Sequence, residues 1–139
     1  MAARTATVVT GVIGADVHSV GNTIVTQALA SRGFKVVNLG VMVSQSEFIS
    51  AAIESDARAL FISSLYGHAE LDCQGLRNNC EEAGLTEIVI FIGGNIVVGK
   101  CSWNETEKKF IDMGFDRAYP PGASLERALD DLQSMLAVS

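Results

Sequence analysis

Short apolar segments rich in β-branched residues alternate with longer amphipathic segments along almost the whole chain. The apolar segments lack the alternation of apolar and polar residues that marks a half-exposed strand, which indicates strands buried on both faces. Buried strands that alternate with helices predict a parallel sheet with helices packed on each side. This pattern constrains the fold more than any other feature of the sequence.

Five strands and five helices are predicted. The strand segments are residues 7–13, 35–40, 59–65, 87–94 and 117–120. The helical segments are residues 22–33, 44–55, 71–84, 103–114 and 124–136. Right-handed crossovers leave few strand orders for such a sheet, and 2-1-3-4-5 is the common order for five strands. The expected fold class is therefore α/β, a flavodoxin-like (Rossmann-like), doubly wound, five-stranded parallel sheet.

Residues at the ends and on the inner faces of the helices are predicted as well. Ser44 and Glu47 have the spacing of a capping box at the start of the second helix. Gly33 and Gly84 are expected to end the first and third helices. Helical spacing predicts that the following apolar residues face the core: Ile24, Ala28 and Leu29; Leu76, Cys80 and Ala83; Phe110, Ile111 and Met113; Leu125, Ala128, Leu129, Leu132 and Leu136.

Length and charge limit the possible functions. The 139 residues are expected to form a single domain, 1–139, without a linker. A net charge of −6 argues against partners such as nucleic acid or an anionic membrane surface. No segment approaches the ~20 apolar residues of a membrane span, and the first apolar segment is too short for a signal peptide. Three cysteines without a CxxC pair are expected to be reduced core residues of a cytoplasmic protein.

The least ordinary sequence lies in three loops, after strands one, three and four. They read GADVHSVG, SSLYGHAE and GGNIVVG. In an open parallel sheet, ligands bind outside the carboxyl ends of the strands where the strand order reverses, and these three loops are expected to meet there. The first loop offers Asp16 and His18 in place of the glycines that a phosphate site needs.

Four kinds of site are weighed for these loops. The spacings of a dinucleotide site and of a P-loop are missing. A phospho-receiver domain requires an aspartate at the end of strand three, where Ser-Ser-Leu stands instead. A zinc site requires three or four ligands, which two histidines and scattered cysteines supply poorly. A metal that brings its own equatorial ligands needs only one protein donor, and His18 supported by Asp16 suits that fourth kind.

The loop residues also match a known family pattern. This chain has Asp16-Val-His18-Ser-Val-Gly21, a gap of 41 residues, Ser63-Ser-Leu65, a gap of 27 residues, and Gly93-Gly94. Cobalamin-binding domains carry Asp-x-His-x-x-Gly, Ser-x-Leu and Gly-Gly at such separations. The chain therefore resembles the cobalamin-binding domain family.

A closer resemblance covers nearly the whole chain. The segments GVIGADVHSVGN, SSLYGHAELDCQGLR, EEAGL and GGNIVVGK resemble the small, cobalamin-binding subunits of glutamate mutase, also called methylaspartate mutase. The resemblance implies an isomerase that interconverts L-glutamate and threo-3-methylaspartate by radical rearrangement of the carbon skeleton, with adenosylcobalamin as cofactor. It also implies a larger, barrel-type partner subunit, with two small and two large subunits in the enzyme, and no activity of the small subunit alone.

The resemblance assigns roles to the loop residues. His18 is implied to be the lower axial ligand of cobalt in place of the cofactor's own base, so that the cofactor is bound base-off, and Asp16 is implied to hydrogen-bond His18. No residue of this chain is expected to act as a catalytic acid or base. The displaced nucleotide arm is expected to lie between the sheet and a helix, against small side chains. The residues implied to contact the cofactor are Ala15, Asp16, Val17, His18, Ser19, Gly21, Ser63, Ser64, Leu65, Gly93, Gly94, Asn95, Ile96, Val97, Val98 and Gly99.

Simpler structural interpretations stay open for several of these residues. The Gly93-Gly94 pair is alternatively a turn at a strand end. Ser63 and Ser64 are alternatively loop hydroxyls, and Asp16 a helix cap or an Asx-turn residue. A dicarboxylate substrate requires converging arginines, whereas the six arginines of this chain are scattered, so a partner subunit is expected to bind the substrate.

The main functional alternative is a corrinoid carrier protein of a methyltransferase system or a cobalamin-binding sensor domain. These proteins share the three motif segments, so the motif does not separate them from a mutase subunit. Carriers commonly add an N-terminal helical bundle. The short segment before the first predicted strand favours the mutase subunit.

Overall fold

The strands form one parallel sheet in the predicted order. A computed structural model describes residues 6–14, 20–64, 69–94, 102–120 and 124–137. Its strands are β1 (Thr7–Val12), β2 (Lys35–Asn38), β3 (Ala59–Ser64), β4 (Val89–Gly94) and β5 (Arg117–Tyr119). They are ordered β2-β1-β3-β4-β5, and all four strand pairs are parallel. The predicted fold class is confirmed.

Helices connect the strands and cover both faces of the sheet. They are α1 (Val20–Ser31), α2 (Gln45–Ser55), α3 (Ala69–Cys73), α4 (Leu76–Glu82), α5 (Trp103–Asp112) and α6 (Leu125–Ala137). The predicted capping box of α2 is confirmed, because Ser44 Oγ accepts from the Glu47 N–H and the Glu47 carboxylate accepts from the Ser44 N–H. The Ser44 N–H and the Ser44 hydroxyl both donate to the Glu47 carboxylate, and these two bonds lower the pKa of Glu47.

The predicted third helix is divided in two. Gly75 has a φ of 78°, a left-handed conformation that ends α3 and precedes α4. The Gln45 side chain holds this break, because its amide nitrogen donates to the carbonyls of Asp72 and Gln74 and its oxygen accepts from Asn79. A single helix over 71–84 was therefore the wrong prediction, since the sequence pattern does not show that a distant glutamine satisfies the interrupted carbonyls.

The sheet divides the core into two clusters. On one face, Leu60, Ile62 and Ile92 pack with Phe48 and Phe110 from α2 and α5. On the other face, side chains of β1, β3 and β4 pack against α1 and α6 and form the second cluster. The buried members of this second cluster are Ala6, Val8, Leu29, Phe34, Ala59, Phe61, Phe91, Ala128, Leu129, Leu132 and Leu136. The predicted inward face of α6 is confirmed.

Three residues predicted to face the core are exposed. Ile24 is 52% exposed, because the sheet-facing stripe of α1 runs through Asn22, Thr26 and Leu29 and residue 24 lies nearly opposite residue 22 on the helix. Ile111 is 42% exposed beside the fully buried Phe110. Ala83 is exposed because α4 ends before it.

Cys73 and Cys80 are buried free thiols in the cluster that faces α2 and α5. Burial raises the pKa of both thiols, so both stay protonated near neutral pH. The prediction that they are core residues is confirmed, and Cys101 lies outside the described residues. None of the helices in the described ranges is both long and apolar enough to cross a membrane.

Candidate functional site

One row of residues crosses the sheet close to its carboxyl edge. Ser63 pairs with Val12 on one side and with Gly93 on the other, and Gly93 pairs with Tyr119. Side chains alternate along a strand, and Phe61 belongs to the cluster under α1 and α6, so Ser63 faces those helices as well. The two middle members of the row have the smallest side chains. We call this gap, at Ser63 and Gly93 between Val12 and Tyr119, the notch.

An aromatic floor lies on the same face of the sheet, two residues before the notch in β3 and β4. The rings of Phe61 and Phe91 have centroids 5.8 Å apart, and those of Phe91 and Tyr119 are 5.7 Å apart. The Tyr119 hydroxyl donates to the Asp131 carboxylate of α6 at 2.6 Å. Burial, and then the hydrogen bond and charge of Asp131, raise the pKa of Tyr119, so the phenol remains the donor at neutral pH. One side of the notch is therefore fixed to α6.

The two glycines that end β4 have different reasons to be glycine. Gly94 has a φ of 108°, so the direction of the chain at the strand end requires it. Gly93 has no such conformation, and a Cβ added there would come no closer than 3.8 Å to Tyr119 Cβ. The turn interpretation therefore explains Gly94 but not Gly93. Within the described part of the chain, neither the backbone conformation nor packing against a neighbour requires glycine at position 93.

The part of α1 nearest the carboxyl edge contacts the sheet through polar side chains. Thr26 Oγ1 lies 2.8 Å from Thr10 Oγ1, and Asn22 Nδ2 donates to Asn38 Oδ1 at 2.8 Å. Farther along the helix, Leu29 restores an apolar contact. The three motif segments do not include Asn22 or Thr26, and neither residue was predicted to belong to the site. Their spacing of four residues, in register with buried Leu29, was the signal that would have found them.

The structure brings only part of the predicted site together on one face. Ser63 and Gly93 line the notch. Ser64 and Gly94 follow them in their strands and therefore face the α2 and α5 side instead. Gly21 lies in the first turn of α1, where a Cβ would meet nothing within 4 Å. The predicted contacts outside the described residues are Ala15, Asp16, Val17, His18, Ser19, Leu65, Asn95, Ile96, Val97, Val98 and Gly99.

Comparison with known proteins places the chain in a family. The sequence profile of the B12 binding domain matches residues 6–122. The chain is 55% identical over 130 residues to the glutamate mutase sigma subunit of Carboxydothermus hydrogenoformans, which covers 94% of this chain and 95% of that protein. It is 54% identical over 132 residues to the glutamate mutase sigma subunit of Clostridium tetanomorphum, with 95% and 96% covered. The chain belongs to the B12-binding domain family, among the glutamate mutase sigma subunits.

Solved structures show the same fold for the B12-binding domain. A cobalamin-binding protein from Desulfitobacterium hafniense superposes with a TM-score of 0.78 at 19% identity, covering 95% of this chain and 59% of that one. The monomethylamine corrinoid protein of Methanosarcina barkeri superposes with a TM-score of 0.73 at 24% identity, covering 93% and 57%. The chain thus spans little more than half the length of these two proteins.

The B12-binding domain leaves two buried polar atoms without partners at the carboxyl edge. Within the described ranges, Asn22 Oδ1 and Ser64 Oγ are the buried side-chain atoms that lack a hydrogen bond. Buried polar atoms are nearly always paired, so each indicates a donor or acceptor that arrives with a ligand or a neighbouring loop. Asn22 Oδ1 lies on the same side of the sheet as the notch, and the two together suit a ligand with a planar ring and polar groups, whereas Ser64 Oγ faces the α2 and α5 side.

Proposed function

We propose that this chain is the cobalamin-binding subunit of a glutamate mutase that uses adenosylcobalamin, bound base-off with His18 as the cobalt ligand. The observation that carries the proposal is the notch. The second and third motif segments are separated by 27 residues in the sequence, yet Ser63 and Gly93 are paired neighbours with the smallest side chains of their row. A chain that needed only a turn at this edge would not require Gly93.

The notch suits the nucleotide arm of a base-off cobalamin. A benzimidazole ring is flat and apolar, which matches the floor of Phe61 and Phe91 and the neighbouring Tyr119. Ser63 supplies a hydroxyl beside this floor. The arm would enter between the sheet and α1, where Thr10 and Thr26 already replace apolar packing by polar contacts.

His18 and Asp16 come shortly after β1 in the sequence. The last described residue before them is Gly14, which has a φ of 81°. Their proposed roles are to ligate cobalt and to accept the second N–H of the imidazole, which sets its tautomer and increases its basicity. When bound, adenosylcobalamin supplies the radical that begins the rearrangement. The contribution of this chain is to hold and orient the cofactor, without an acid or base of its own.

The positions of the arginines support substrate binding by a partner subunit. A dicarboxylate substrate calls for more than one converging guanidinium group. Of the five arginines in the described part of the chain, Arg32, Arg58, Arg77 and Arg117 lie toward the amino edge of the sheet, opposite the notch. Arg127, in the first turn of α6, is the exception. We therefore propose a barrel-type large subunit that binds glutamate and encloses the cofactor, in an assembly of two small and two large subunits.

Reconstitution tests this function. The chain is mixed with a glutamate mutase large subunit and adenosylcobalamin, and threo-3-methylaspartate formed from L-glutamate is measured. Product is expected only when all three components are present. Binding of cobalamin without any methylaspartate would instead favour the corrinoid carrier.

Enlarging residue 93 should separate cofactor binding from folding. Gly93→Ala is expected to leave the free energy of unfolding within about 1 kcal/mol, because its Cβ meets only ordinary contacts. Gly93→Val is expected to weaken adenosylcobalamin binding at least about tenfold by filling the notch, with Ala intermediate. Binding is measured by absorbance titration in the presence of the large subunit.

A matched control for this prediction is Ile92→Val, on the same strand but facing the opposite cluster. It is expected to lower the free energy of unfolding by about 1 kcal/mol without changing cofactor affinity. Equal affinities for the wild type and Gly93→Val would exclude the notch as the seat of the nucleotide arm.

A further inference from the structure

Asn22 occupies an unusual position in the fold. It is 1% exposed, lies in the first turn of α1, and faces the sheet rather than solvent. Among the described residues, its side chain hydrogen-bonds Asn38, at the end of β2. Asn22 therefore belongs to the polar part of the interface between α1 and the sheet.

The hydrogen bonds around Asn38 determine how the Asn22 amide is oriented. The Gly40 N–H donates to Asn38 Oδ1 at 2.9 Å, which identifies that atom as the oxygen. Asn38 Oδ1 is therefore an acceptor, and the Asn22 atom 2.8 Å from it must be the amide nitrogen. The two oxygens cannot hydrogen-bond each other, so rotating the Asn22 amide would break this contact.

This orientation leaves Asn22 Oδ1 buried and without a donor. The neighbouring polar pair in the interface does not supply one: the Thr10 and Thr26 hydroxyls bond each other, and neither makes a hydrogen bond with Asn22 Oδ1. An acceptor held in place on one side and unpaired on the other is prepared for an incoming N–H or O–H group. Phosphate cannot provide one, since it only accepts at neutral pH, whereas an amide N–H or a ribose hydroxyl can.

We propose that Asn22 Oδ1 accepts a hydrogen bond from an N–H or O–H group of the cobalamin nucleotide arm and so helps select corrinoids that carry this arm. The inference rests on the proposed function and deepens it. Asn22 lies outside the three motif segments. Its bond to Asn38 holds the acceptor still, which reduces the entropy lost when the arm binds.

The test compares two cofactors that differ in the arm. Adenosylcobalamin and adenosylcobinamide share the corrin, the cobalt and the adenosyl group, but cobinamide lacks the nucleotide. Dissociation constants for both are measured by absorbance titration, with the large subunit present, for the wild type, Asn22→Ala and Asn22→Asp. Asn78→Ala, in the exposed part of α4, is the surface control.

Asn22→Ala is expected to raise the dissociation constant of adenosylcobalamin about tenfold and that of adenosylcobinamide by less than about twofold. Asn22→Asp keeps an acceptor oxygen but loses the N–H that Asn38 Oδ1 accepts, so it is expected to retain only part of the preference for adenosylcobalamin, though more than Ala does. If the Ala variant fails to fold, Asn38→Ala supplies the comparison of the two corrinoids. Asn38→Ala is expected to have a smaller effect than Asn22→Ala, because it removes only the support of the acceptor.

The outcomes separate the inference from the function on which it rests. Equal losses for the two corrinoids, or no loss for either, would overturn the role of Asn22 while leaving cobalamin binding intact. A wild-type chain that binds neither corrinoid would instead contradict the proposed function.

Discussion

His18→Ala is expected to remove histidine coordination from cobalt and to lower the affinity for adenosylcobalamin at least about a hundredfold. Loss of a group that only supports a metal ligand already costs about 10- to 100-fold, and loss of the ligand itself should cost more. The mutase activity of the reconstituted enzyme should fall with it. Without the imidazole, the chain would lose the group that favours the base-off form of the cofactor, so less of the nucleotide arm would be held at the notch.

Electron spin resonance of the cob(II)alamin complex tests the ligation directly. Coupling of the unpaired electron to one axial ¹⁴N nucleus gives triplet splitting, and labelling histidine with ¹⁵N should change it to a doublet. A spectrum that the label leaves unaltered would show that histidine does not ligate cobalt. This measurement does not depend on activity.

Two variants are matched to His18→Ala. Asp16→Asn should reduce affinity about 10- to 100-fold and preserve the histidine splitting, as expected for a residue that acts through the imidazole. His68→Ala changes the only other histidine of the chain, which lies outside the motif, and should leave the splitting in place. If His68→Ala lost the splitting and His18→Ala kept it, the cobalt ligand would be His68, and the proposed role of His18 would be wrong.

Gly114→Ala is expected to lower the free energy of unfolding by about 3 kcal/mol, far from the cofactor. Gly114 has a φ of 102°, which a side chain tolerates poorly. A Cβ there would also lie 2.5 Å from Cβ and 2.7 Å from Cγ of Arg77. Both obstacles act at once, because the Arg77 side chain is itself held in place.

Arg77 cannot move without losing a network at the amino edge of the sheet. Its guanidinium donates to the carbonyls of Gly114 and Ile88 and to the Asp116 carboxylate. Asp116 also accepts from the Ile90 N–H at the start of β4. Displacing Arg77 would therefore leave half-buried polar groups without partners, which adds to the backbone strain.

Gly84→Ala is the matched control. Gly84 has a similar φ of 93°, but a Cβ there meets nothing within 4 Å. Gly84→Ala should lower the free energy of unfolding by about 1 kcal/mol, from backbone strain alone. Urea unfolding of the two variants measures the difference between their free energies of unfolding. If both variants lost the same amount, the contact with Arg77 would not contribute to the destabilisation of Gly114→Ala. Cobalamin affinity should be unchanged in both.

Local rules predicted most of the architecture. The strand segments, the strand order and the Ser44 capping box follow from periodicity, β-branching and crossover handedness, all of which act over short distances in the sequence. The break at Gly75 and the exposure of Ile24 did not follow. The break depends on Gln45, nearly thirty residues away, and the exposure depends on the rotation of α1 against the sheet.

The site shows the same division. The motif spacing identified Ser63 and Gly93 together with Ser64 and Gly94, but it did not show that the two pairs face opposite sides of the sheet. It also gave no indication that the backbone conformation requires glycine at position 94 but not at position 93. The polar residues of α1 escaped notice because their role depends on what they face across the interface.

The amino-acid sequence by itself determined the family, the sheet and the loops that carry the motif, because residue type and spacing encode these features. Only the tertiary structure decided that Ser63 and Gly93 form a notch over Phe61 and Phe91, and that Asn22 holds an unpaired acceptor beside the sheet. Burial and hydrogen-bond satisfaction belong to pairs of residues brought together by packing. No single segment of the chain contains that information.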